Sequence, residues 1–296
     1  GATRGAVISF SWLADNPACK FYNLTENSDD SCNAYNNSCF GMDILHELLP
    51  GGMLNPIWVH WLDVLSKFMD RLTFENGESI PFVFRLFHEC TQKWYWWGTN
   101  CGTNVSMVEA WNYTYYYLQD VKGHKGILWE YAPSKPSQIG EGFEAYYPGD
   151  NQVDIISFDR YAKNETYQKY VLEDCAIVVD FAVERGKVAT LAETGILAGI
   201  QNITRPTWFV DDFLMPIMKT CPALAYALTY TDFSTKNYWV PIKGETTYPG
   251  FIDFYRDQHS VFLSDSFWVN ENYFEHVKQV ACSDSADLDP DCQLSQ

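Results

Sequence analysis

PFVFRLFHECTQKWYWWG, residues 81–98, is the stretch on which the expected fold depends. It begins with an apolar, aromatic and β-branched run at 82–84, which is typical of a buried strand. Arg85, His88 and Glu89 follow, and four aromatic residues and a glycine close the stretch. In a parallel α/β barrel the carboxyl ends of the strands carry the chemistry. The stretch therefore predicts a functional strand end, the alternative being a core strand that ends in a buried Arg–Glu ion pair.

The composition supports a large folded core and narrows the choice of partners. Apolar residues make up 47% of the 296 residues, which is enough to bury a substantial core. The formal net charge of −18 argues against nucleic acid and anionic membranes, because both bind clustered Lys and Arg. Aromatic residues make up 17% of the chain, including 11 Trp and 19 Tyr. Some of these rings are expected to line a cleft, where aromatic faces beside carboxylates suit a sugar ring.

Six apolar runs alternate with segments of helical periodicity, and this alternation predicts βαβ units and a parallel sheet. A closed (β/α)8 barrel needs eight such units. Two units could lie upstream of Gly1, two could be degenerate, or the fold could be something other than a closed barrel. We favour a (β/α)8 barrel whose first two units are upstream of or missing from this chain, with residues 1–296 as a single domain. Strands are expected at 5–12, 81–84, 126–131, 153–159, 188–192 and 223–230, and helices at 42–49, 57–72, 105–121, 165–185 and 207–219.

The nine cysteines suggest an oxidising compartment. Cys19 is the candidate for the unpaired thiol. No CxxC spacing and no cluster with metal-ligand spacing appears, so no metal site is expected. The local pairs Cys32/Cys39, Cys90/Cys101 and Cys282/Cys292 could each close a loop. Cys175/Cys221 is a possible long-range pair, the alternative being two buried thiols.

The glycosylation signals, like the cysteines, suggest a secreted protein. Six Asn-x-Ser/Thr sequons beside many cysteines indicate a secreted protein from a glycosylating host. The chain contains no signal peptide and no apolar run of membrane-spanning length, so we expect a removed signal and no membrane association. The sequons are at Asn23, Asn36, Asn104, Asn112, Asn164 and Asn202.

Two glutamates at predicted strand ends are the candidate catalytic pair. Glu89 follows the strand at 81–84, and Glu193 follows the strand at 188–192. Opposite walls of a barrel mouth bring such side chains close together. Cleavage of a glycosidic bond needs one carboxylic acid to protonate the leaving oxygen and one carboxylate to attack the anomeric carbon or activate water. Burial near a second carboxylate would keep the acid protonated.

Three segments of the chain resemble glycoside hydrolase family 26, the β-mannanase family. They are FRLFHE…WYWWG, YYPGDNQVDIISFDRY and LAETG, and the Asn-Pro pair at 16–17 after the first strand fits as well. The match runs in order from residue 5 to about residue 267. The resemblance implies a (β/α)8 barrel and retaining hydrolysis by two glutamates. It makes Glu89 the general acid/base and Glu193 the nucleophile.

The resemblance also implies roles for four further residues. Arg85 would support the carboxylates, and His88 would hydrogen-bond near the reacting sugar or orient the nucleophile. Tyr161 matches the tyrosine that hydrogen-bonds the nucleophile, and Trp94 matches the tryptophan beside the cleavage point. Adjacent indoles cannot all face the cleft, so Trp96 and Trp97 are assigned to packing.

Departures from the family pattern bear on the substrate. Leu13 stands where the family usually has a histidine, and Leu86 replaces a proline. Tyr230 aligns with the aromatic platform, usually Trp, at the end of the last strand, where it offers less stacking area. Asp232 follows closely and is a candidate for binding hydroxyls.

These inferences combine into one functional hypothesis with alternatives. We expect a secreted, monomeric, retaining endo-β-1,4-mannanase that acts on mannan, glucomannan or galactomannan and needs no cofactor. Within the same chemistry, a β-1,3-xylanase or a mixed-linkage β-glucanase remains an alternative because of Leu13. A non-catalytic carbohydrate-binding barrel is the alternative from another class.

Overall fold

The computed structural model describes residues 6–22 and 32–262, and the apolar runs of the sequence form one parallel sheet in it. All five strand pairings of the sheet are parallel, and the strands lie side by side in chain order. This sequential parallel order is that of consecutive units of an α/β barrel, as predicted. The strands are β1 (Ser9–Ser11), β2 (Phe82–Arg85), β3 (Ile127–Tyr131), β4 (Ile155–Ala162), β5 (Val188–Ile196) and β6 (Leu224–Thr229).

Helical segments connect the strands, as parallel pairing requires a crossover between them. Two short 3₁₀ turns, Pro136–Gln138 and Phe143–Tyr146, lie between β3 and β4. Two single helical turns precede the first long helix, and the helix before β3 ends in a π-helical turn. The predicted helix at 207–219 forms in two parts, a π-helical turn followed by α6. The helices are α1 (Pro17–Phe21), α2 (Ile44–Glu47), α3 (Asn55–Met69), α4 (Asn104–Tyr116), α5 (Asn164–Glu184), α6 (Met215–Thr220) and α7 (Tyr248–Arg256).

The helix boundaries follow from local sequence signals. Thr103 precedes α4 and forms a capping box, in which its hydroxyl accepts from the Ser106 N–H while the Ser106 side chain accepts from the Thr103 N–H. In α3, Pro56 occupies the first turn, where its missing N–H costs nothing, and Trp58 and Leu62 lie on the buried face. The apolar faces of the helices and the central strands share one continuous core.

Two helices lie outside the sequence prediction. No helix is predicted between the strand at 5–12 and the helix at 42–49, yet α1 begins directly after Asn16. The Asn16 side chain accepts from the Ala18 N–H, and Pro17 occupies the first helical position, so a cap followed by proline starts the helix. The helix α7 forms after β6, where no helix is predicted, and it also carries a proline in its first turn.

The disulfides partly correct the predicted pairing. Cys175 and Cys221 are bonded, as proposed for the long-range pair. Cys39 bonds to Cys101, so the predicted local pairs Cys32/Cys39 and Cys90/Cys101 are wrong. The reason is that residues 32–40 fold back along residues 93–101, which brings Cys39 to a cysteine far away in sequence. Cys282, Cys292 and the sequon at Asn23 lie outside the described residues.

Two features are absent from the described ranges, 6–22 and 32–262. No helix in these ranges is both long and apolar enough to cross a lipid bilayer. No group of three or more His, Cys, Asp and Glu side chains in the same ranges is arranged to hold a metal ion.

Candidate active site

The candidate site lies at the carboxyl-terminal ends of the strands, which we call the mouth of the sheet. A β-bulge determines which side chains meet there. The register between β4 and β5 shifts after Phe158, so that Glu193 rather than Ala192 lies opposite Asp159. Bulges beside active sites redirect a side chain in this way. The strand β5 also continues through Glu193 to Ile196, beyond the predicted end at residue 192.

Arg85, the last residue of β2, lies buried at the centre of a group of three carboxylates. Its Nη2 donates to both Asp159 carboxylate oxygens at 2.8 and 2.6 Å, and its Nη1 donates to Glu193 Oε1 at 2.8 Å. Glu130, at 3.6 Å from Nε, is the third carboxylate. Each bond is charge-assisted, the bonds to Asp159 are buried and the bond to Glu193 is partly buried, so the guanidinium fixes the positions of both carboxylates relative to β2. Arg85 therefore contacts Glu193 directly, as expected of a residue that supports the carboxylates.

Glu193 is held by donors and still reaches solvent. Its second oxygen, Oε2, accepts from the Tyr161 hydroxyl at 3.2 Å, which is the contact expected from the sequence. Its side chain is 19% exposed, while the Arg85 side chain beneath it is 4% exposed. The guanidinium and the phenol compensate the negative charge from one side, and the open side faces the mouth.

Glu89 lies on the loop that follows β2 and is less exposed to solvent than Glu193. Its backbone is left-handed, with a φ of 57°, and Phe87 shares this conformation with a φ of 46°. Non-glycine residues seldom adopt such angles, and they do so most often where a site requires them. The backbone N–H of Glu89 donates to Ala132 O at 2.7 Å, which ties the strained loop to the end of β3.

The surroundings of Glu89 favour its protonated form. Burial, and after it the negative charge of Glu193, raises the pKa of Glu89 from 4.5 to about 7. The indole of Trp94 donates to Glu89 Oε2 at 2.6 Å and opposes this rise, as does the charge of Arg85. Glu89 thus holds a proton at a pH where an ordinary glutamate has lost it.

His88 is buried between aromatic rings rather than exposed in the mouth. Its ring lies 5.1 Å from that of Tyr95 and 5.8 Å from that of Trp97. Its Nδ1 has no hydrogen-bond partner in the part of the chain that the structure describes. Burial, and after it the charge of Arg85, lowers the pKa of His88 well below its usual value, so the ring is neutral. The expected hydrogen bond to a sugar or to the nucleophile stays a prediction.

Aromatic residues line the mouth around the two glutamates. Trp94 is half-buried against Glu89, whereas Trp96 and Trp97 are fully buried, which confirms that they serve packing. Tyr230 follows β6 with 38% of its surface exposed, and its ring lies 6.1 Å from that of Tyr161. The predicted aromatic platform is therefore at the rim, next to the tyrosine that donates to Glu193.

Two other residues named from the sequence lie just after strand ends. Asp232 Oδ1 accepts from the N–H groups of Trp239 and Val240 at 2.8 and 3.0 Å, so this carboxylate holds a turn. Its binding of sugar hydroxyls stays a prediction. Leu13 follows β1 and is 48% exposed, which places an apolar side chain where the family pattern has a histidine.

Sequence reasoning missed three residues of the site. Asp159 and Glu130 end or interrupt apolar runs in β4 and β3, a signal like the one that revealed Glu193. Trp239 lies in a loop without periodicity, but its indole closely covers Gly195 and donates to Ile196 O at 3.0 Å. A Cβ at Gly195 would lie 2.2 Å from the indole, so only glycine admits this contact.

Comparison with known proteins identifies the family of this chain. The model of Glycosyl hydrolase family 26 matches residues 2–210. The chain belongs to glycosyl hydrolase family 26. The resemblance seen in the sequence is thereby confirmed, and the six sequential parallel strands are part of the (β/α)8 barrel of that family.

Individual family 26 proteins are similar to this chain at moderate identity. The mannan endo-1,4-beta-mannosidase of Bifidobacterium adolescentis is 27% identical over 230 residues, which are 71% of this chain and 23% of that protein. The structure of a GH26 beta-mannanase from Bacteroides ovatus matches with a TM-score of 0.78 at 26% identity, covering 91% of this chain and 74% of that one. An endo-beta-1,4-mannanase from Cellulomonas fimi matches with a TM-score of 0.75, also at 26% identity, over 88% of this chain and 56% of that one.

These relatives are longer than the matched region. The chain spans about a quarter of the length of the Bifidobacterium protein. The family and its fold therefore hold for this chain, whereas its activity and its substrate are matters of proposal.

Proposed function

We propose that this chain hydrolyses internal β-1,4-mannosidic bonds of mannan, glucomannan or galactomannan by double displacement. One observation carries the proposal. Glu89 is a buried carboxyl group whose pKa is raised to about 7, and its neighbour Glu193 is a carboxylate compensated by Arg85 and Tyr161. Retaining glycosidases need this pair, a protonated acid and an ionised nucleophile.

The two glutamates act in sequence in the proposed mechanism. Glu89 donates its proton to the leaving glycosidic oxygen while the free face of Glu193 attacks the anomeric carbon. Glu89, now ionised, then takes a proton from water, which attacks the glycosyl-enzyme bond and releases the sugar from Glu193. Arg85 and Tyr161 stabilise Glu193 as a leaving group in this second step, because both donate to its oxygens.

The substrate proposal rests on the relatives and on the aromatic mouth. The relatives named above are mannanases, and Trp94 and Tyr230 offer ring faces to the C–H patches of a sugar. The exposed Leu13 favours a second candidate substrate class, β-1,3-xylan or mixed-linkage β-glucan, because it removes a polar contact of the family pattern. A non-catalytic carbohydrate-binding barrel would keep the aromatic mouth and lack turnover.

One assay tests the reaction and the substrate together. The protein is incubated separately with mannan, glucomannan, β-1,3-xylan and mixed-linkage glucan, and proton NMR follows the anomer that appears first. We expect manno-oligosaccharides released with the β configuration. Glu89→Ala and Glu193→Ala should abolish this release, while Glu184→Ala, an exposed glutamate at the far end of α5, should not. Unchanged hydrolysis in Glu89→Ala or Glu193→Ala, or first products of the α configuration, would contradict the mechanism.

We also propose that the protein is a secreted glycoprotein, acting as a monomer with one catalytic domain over residues 1–296. The two disulfides support an oxidising environment. The sequons at Asn164 and Asn202 are exposed, whereas Asn112 has a buried side-chain oxygen. Peptide mapping of the secreted protein before and after glycan removal should find glycans at Asn164 and Asn202 and none at Asn112.

A further inference from the structure

The loop at residues 32–40 is fastened to the segment that carries the proposed acid. Its far end is bonded through Cys39 to Cys101. Within the loop, Ala34 O accepts from the Trp96 N–H at 3.2 Å, and the Asn37 side chain donates to Lys93 O at 2.8 Å. These three links join the loop to the region that follows Glu89, so the loop holds a fixed place beside the mouth.

A buried asparagine fastens the other side of the same loop. The side chain of Asn16 donates to Asn36 O at 2.7 Å and to Ser38 O at 3.1 Å, and its N–H donates to Cys32 O at 2.8 Å. Asn16 is almost fully buried, so each of these bonds replaces a lost bond to water. The conformation of the loop is therefore specified from both sides.

Tyr35 is the aromatic side chain that this fixed loop presents to solvent. It is 56% exposed, and its N–H donates to Asn33 Oδ1 at 2.9 Å within a tight turn. Its ring centroid lies 5.0 Å from that of Tyr95, and the two hydroxyls lie 3.5 Å apart. Tyr95 in turn lies 5.1 Å from His88, the residue before Glu89. Two ring contacts thus connect an exposed tyrosine to the proposed catalytic loop.

Tyr35 lies beside the segment that carries Glu89. Its ring packs on Tyr95, and the ring of Tyr95 packs on His88, the residue that precedes Glu89. These contacts place the exposed Tyr35 ring next to the proposed catalytic loop. An exposed ring held rigidly in such a position loses little conformational freedom when a ligand covers it.

We propose that Tyr35 and the loop at 32–40 form a sugar-binding subsite, in which a pyranose of the polysaccharide stacks its C–H face on the Tyr35 ring. The subsite extends the proposed function and rests on it for the identity of the ligand, a β-1,4-linked mannose chain. A polymer that reaches past the cleavage point needs such surfaces for its neighbouring sugar units, because the glutamates contact only the units at the cleaved bond.

Calorimetric titration with mannohexaose tests the subsite. The titration uses Glu89→Gln as the parent, so that the sugar is not cleaved during the measurement. We expect Tyr35→Ala in this parent to weaken binding about 3- to 10-fold, the worth of one aromatic stacking contact. Tyr35→Phe should restore the affinity, because stacking needs the ring and not the hydroxyl.

The control is Tyr116→Ala, which removes an equally exposed tyrosine from the surface of α4. It should bind as the parent does, and matching thermal unfolding curves would show that Tyr35→Ala is folded. In the otherwise native protein, Tyr35→Ala should raise KM for glucomannan by a factor similar to the loss in affinity. Affinity and KM unchanged in a folded Tyr35→Ala protein would overturn the subsite.

The outcomes also separate this proposal from the proposed function. Cleavage of mannohexaose by the Glu89→Gln parent at the native rate would contradict the role of Glu89, and the comparison of Tyr35→Ala with Tyr116→Ala would still judge the subsite. Normal hydrolysis by the native protein, with equal sugar affinity in the parent and in its Tyr35→Ala variant, would leave the function standing and remove the subsite.

Discussion

Glu89 and Glu193 carry the same side chain, yet the two regions that hold them have opposite properties. Glu89 is on a strained loop after β2, buried, with the Trp94 indole as its hydrogen-bond donor. Glu193 is inside the regular strand β5, in contact with the buried cation of Arg85 and open to solvent on one side. The first environment penalises negative charge and the second compensates it. The comparison shows how one fold can place identical groups in opposite environments, which is what the proposed acid and nucleophile require.

Glu89→Gln should have the largest effect, because it keeps the shape of the acid and removes its proton. We expect kcat on glucomannan to fall about 10²- to 10⁴-fold. The native rate should decline as the pH rises through about 7, where Glu89 ionises. This alkaline decline should be absent from the residual activity of Glu89→Gln. A variant that keeps both the rate and the alkaline decline would contradict the assignment of Glu89.

Arg85→Met should remove the cation that contacts Glu193 and should destabilise the fold. It leaves Asp159 and Glu130 buried without their cation, at a cost of about 3–5 kcal/mol in the free energy of unfolding. Burial already raises the pKa of Asp159, and the loss of Arg85 should raise it further. The destabilisation should therefore be smaller at pH 5, where protonation relieves the uncompensated charge, than at pH 8.

Urea unfolding at these two pH values measures the effect of Arg85→Met. Arg205→Met, which removes an exposed arginine paired with Asp212, is the matched control and should change stability by less than about 1 kcal/mol. Equal losses of stability in Arg85→Met and Arg205→Met would contradict the claim that Arg85 compensates the buried carboxylates.

Tyr161→Phe should act on Glu193 alone. The hydroxyl donates to a carboxylate, and such a bond contributes about 1.5–3 kcal/mol, so we expect kcat/KM to fall about 10- to 100-fold. Tyr113→Phe, which removes a hydroxyl that accepts from Asn55 far from the mouth, is the control. If both variants lost activity equally, the effect of Tyr161 would not come from its bond to Glu193.

Trp94→Phe keeps an aromatic ring beside Glu89 and removes the hydrogen bond to its carboxyl group, and it should have the smallest effect. Loss of the indole N–H removes a bond that lowers the pKa of Glu89, so this pKa should rise. The alkaline limb of the rate profile should then move to higher pH by less than about one unit. A limb that moves to lower pH would contradict the role of the indole.

Much of the fold and of the candidate site could be predicted from local sequence patterns. The six apolar runs became the six strands, and the carboxylates that interrupt or follow them lie at the mouth. The strand β5 was predicted too short because its last residues depend on pairing with β4 across a bulge, which no local pattern reveals. The helix α1 was missed although Asn16-Pro17 is a cap followed by proline, because the polar residues after it resemble a loop.

The remaining differences come from contacts between distant residues. The bond between Cys39 and Cys101 joins residues 62 positions apart, so spacing alone favoured nearer partners. Trp239 and Tyr35 lie in polar loops, and only the folded chain brings Trp239 against Gly195 and Tyr35 against Tyr95. The bulge and these long-range contacts decide the shape of the site, whereas local patterns decide which elements it is built from.

The most direct test of the account is the pKa of Glu89 itself. Carbon NMR of the protein labelled at its glutamate carboxyls, with the Glu89 signal assigned by its absence in Glu89→Gln, follows this group through a pH titration. We predict a midpoint near 7, and a lower midpoint in Glu193→Gln that stays above 4.5 because burial, the larger cause, remains. A Glu89 midpoint near 4.5 in the native protein would contradict the division of roles between the two glutamates.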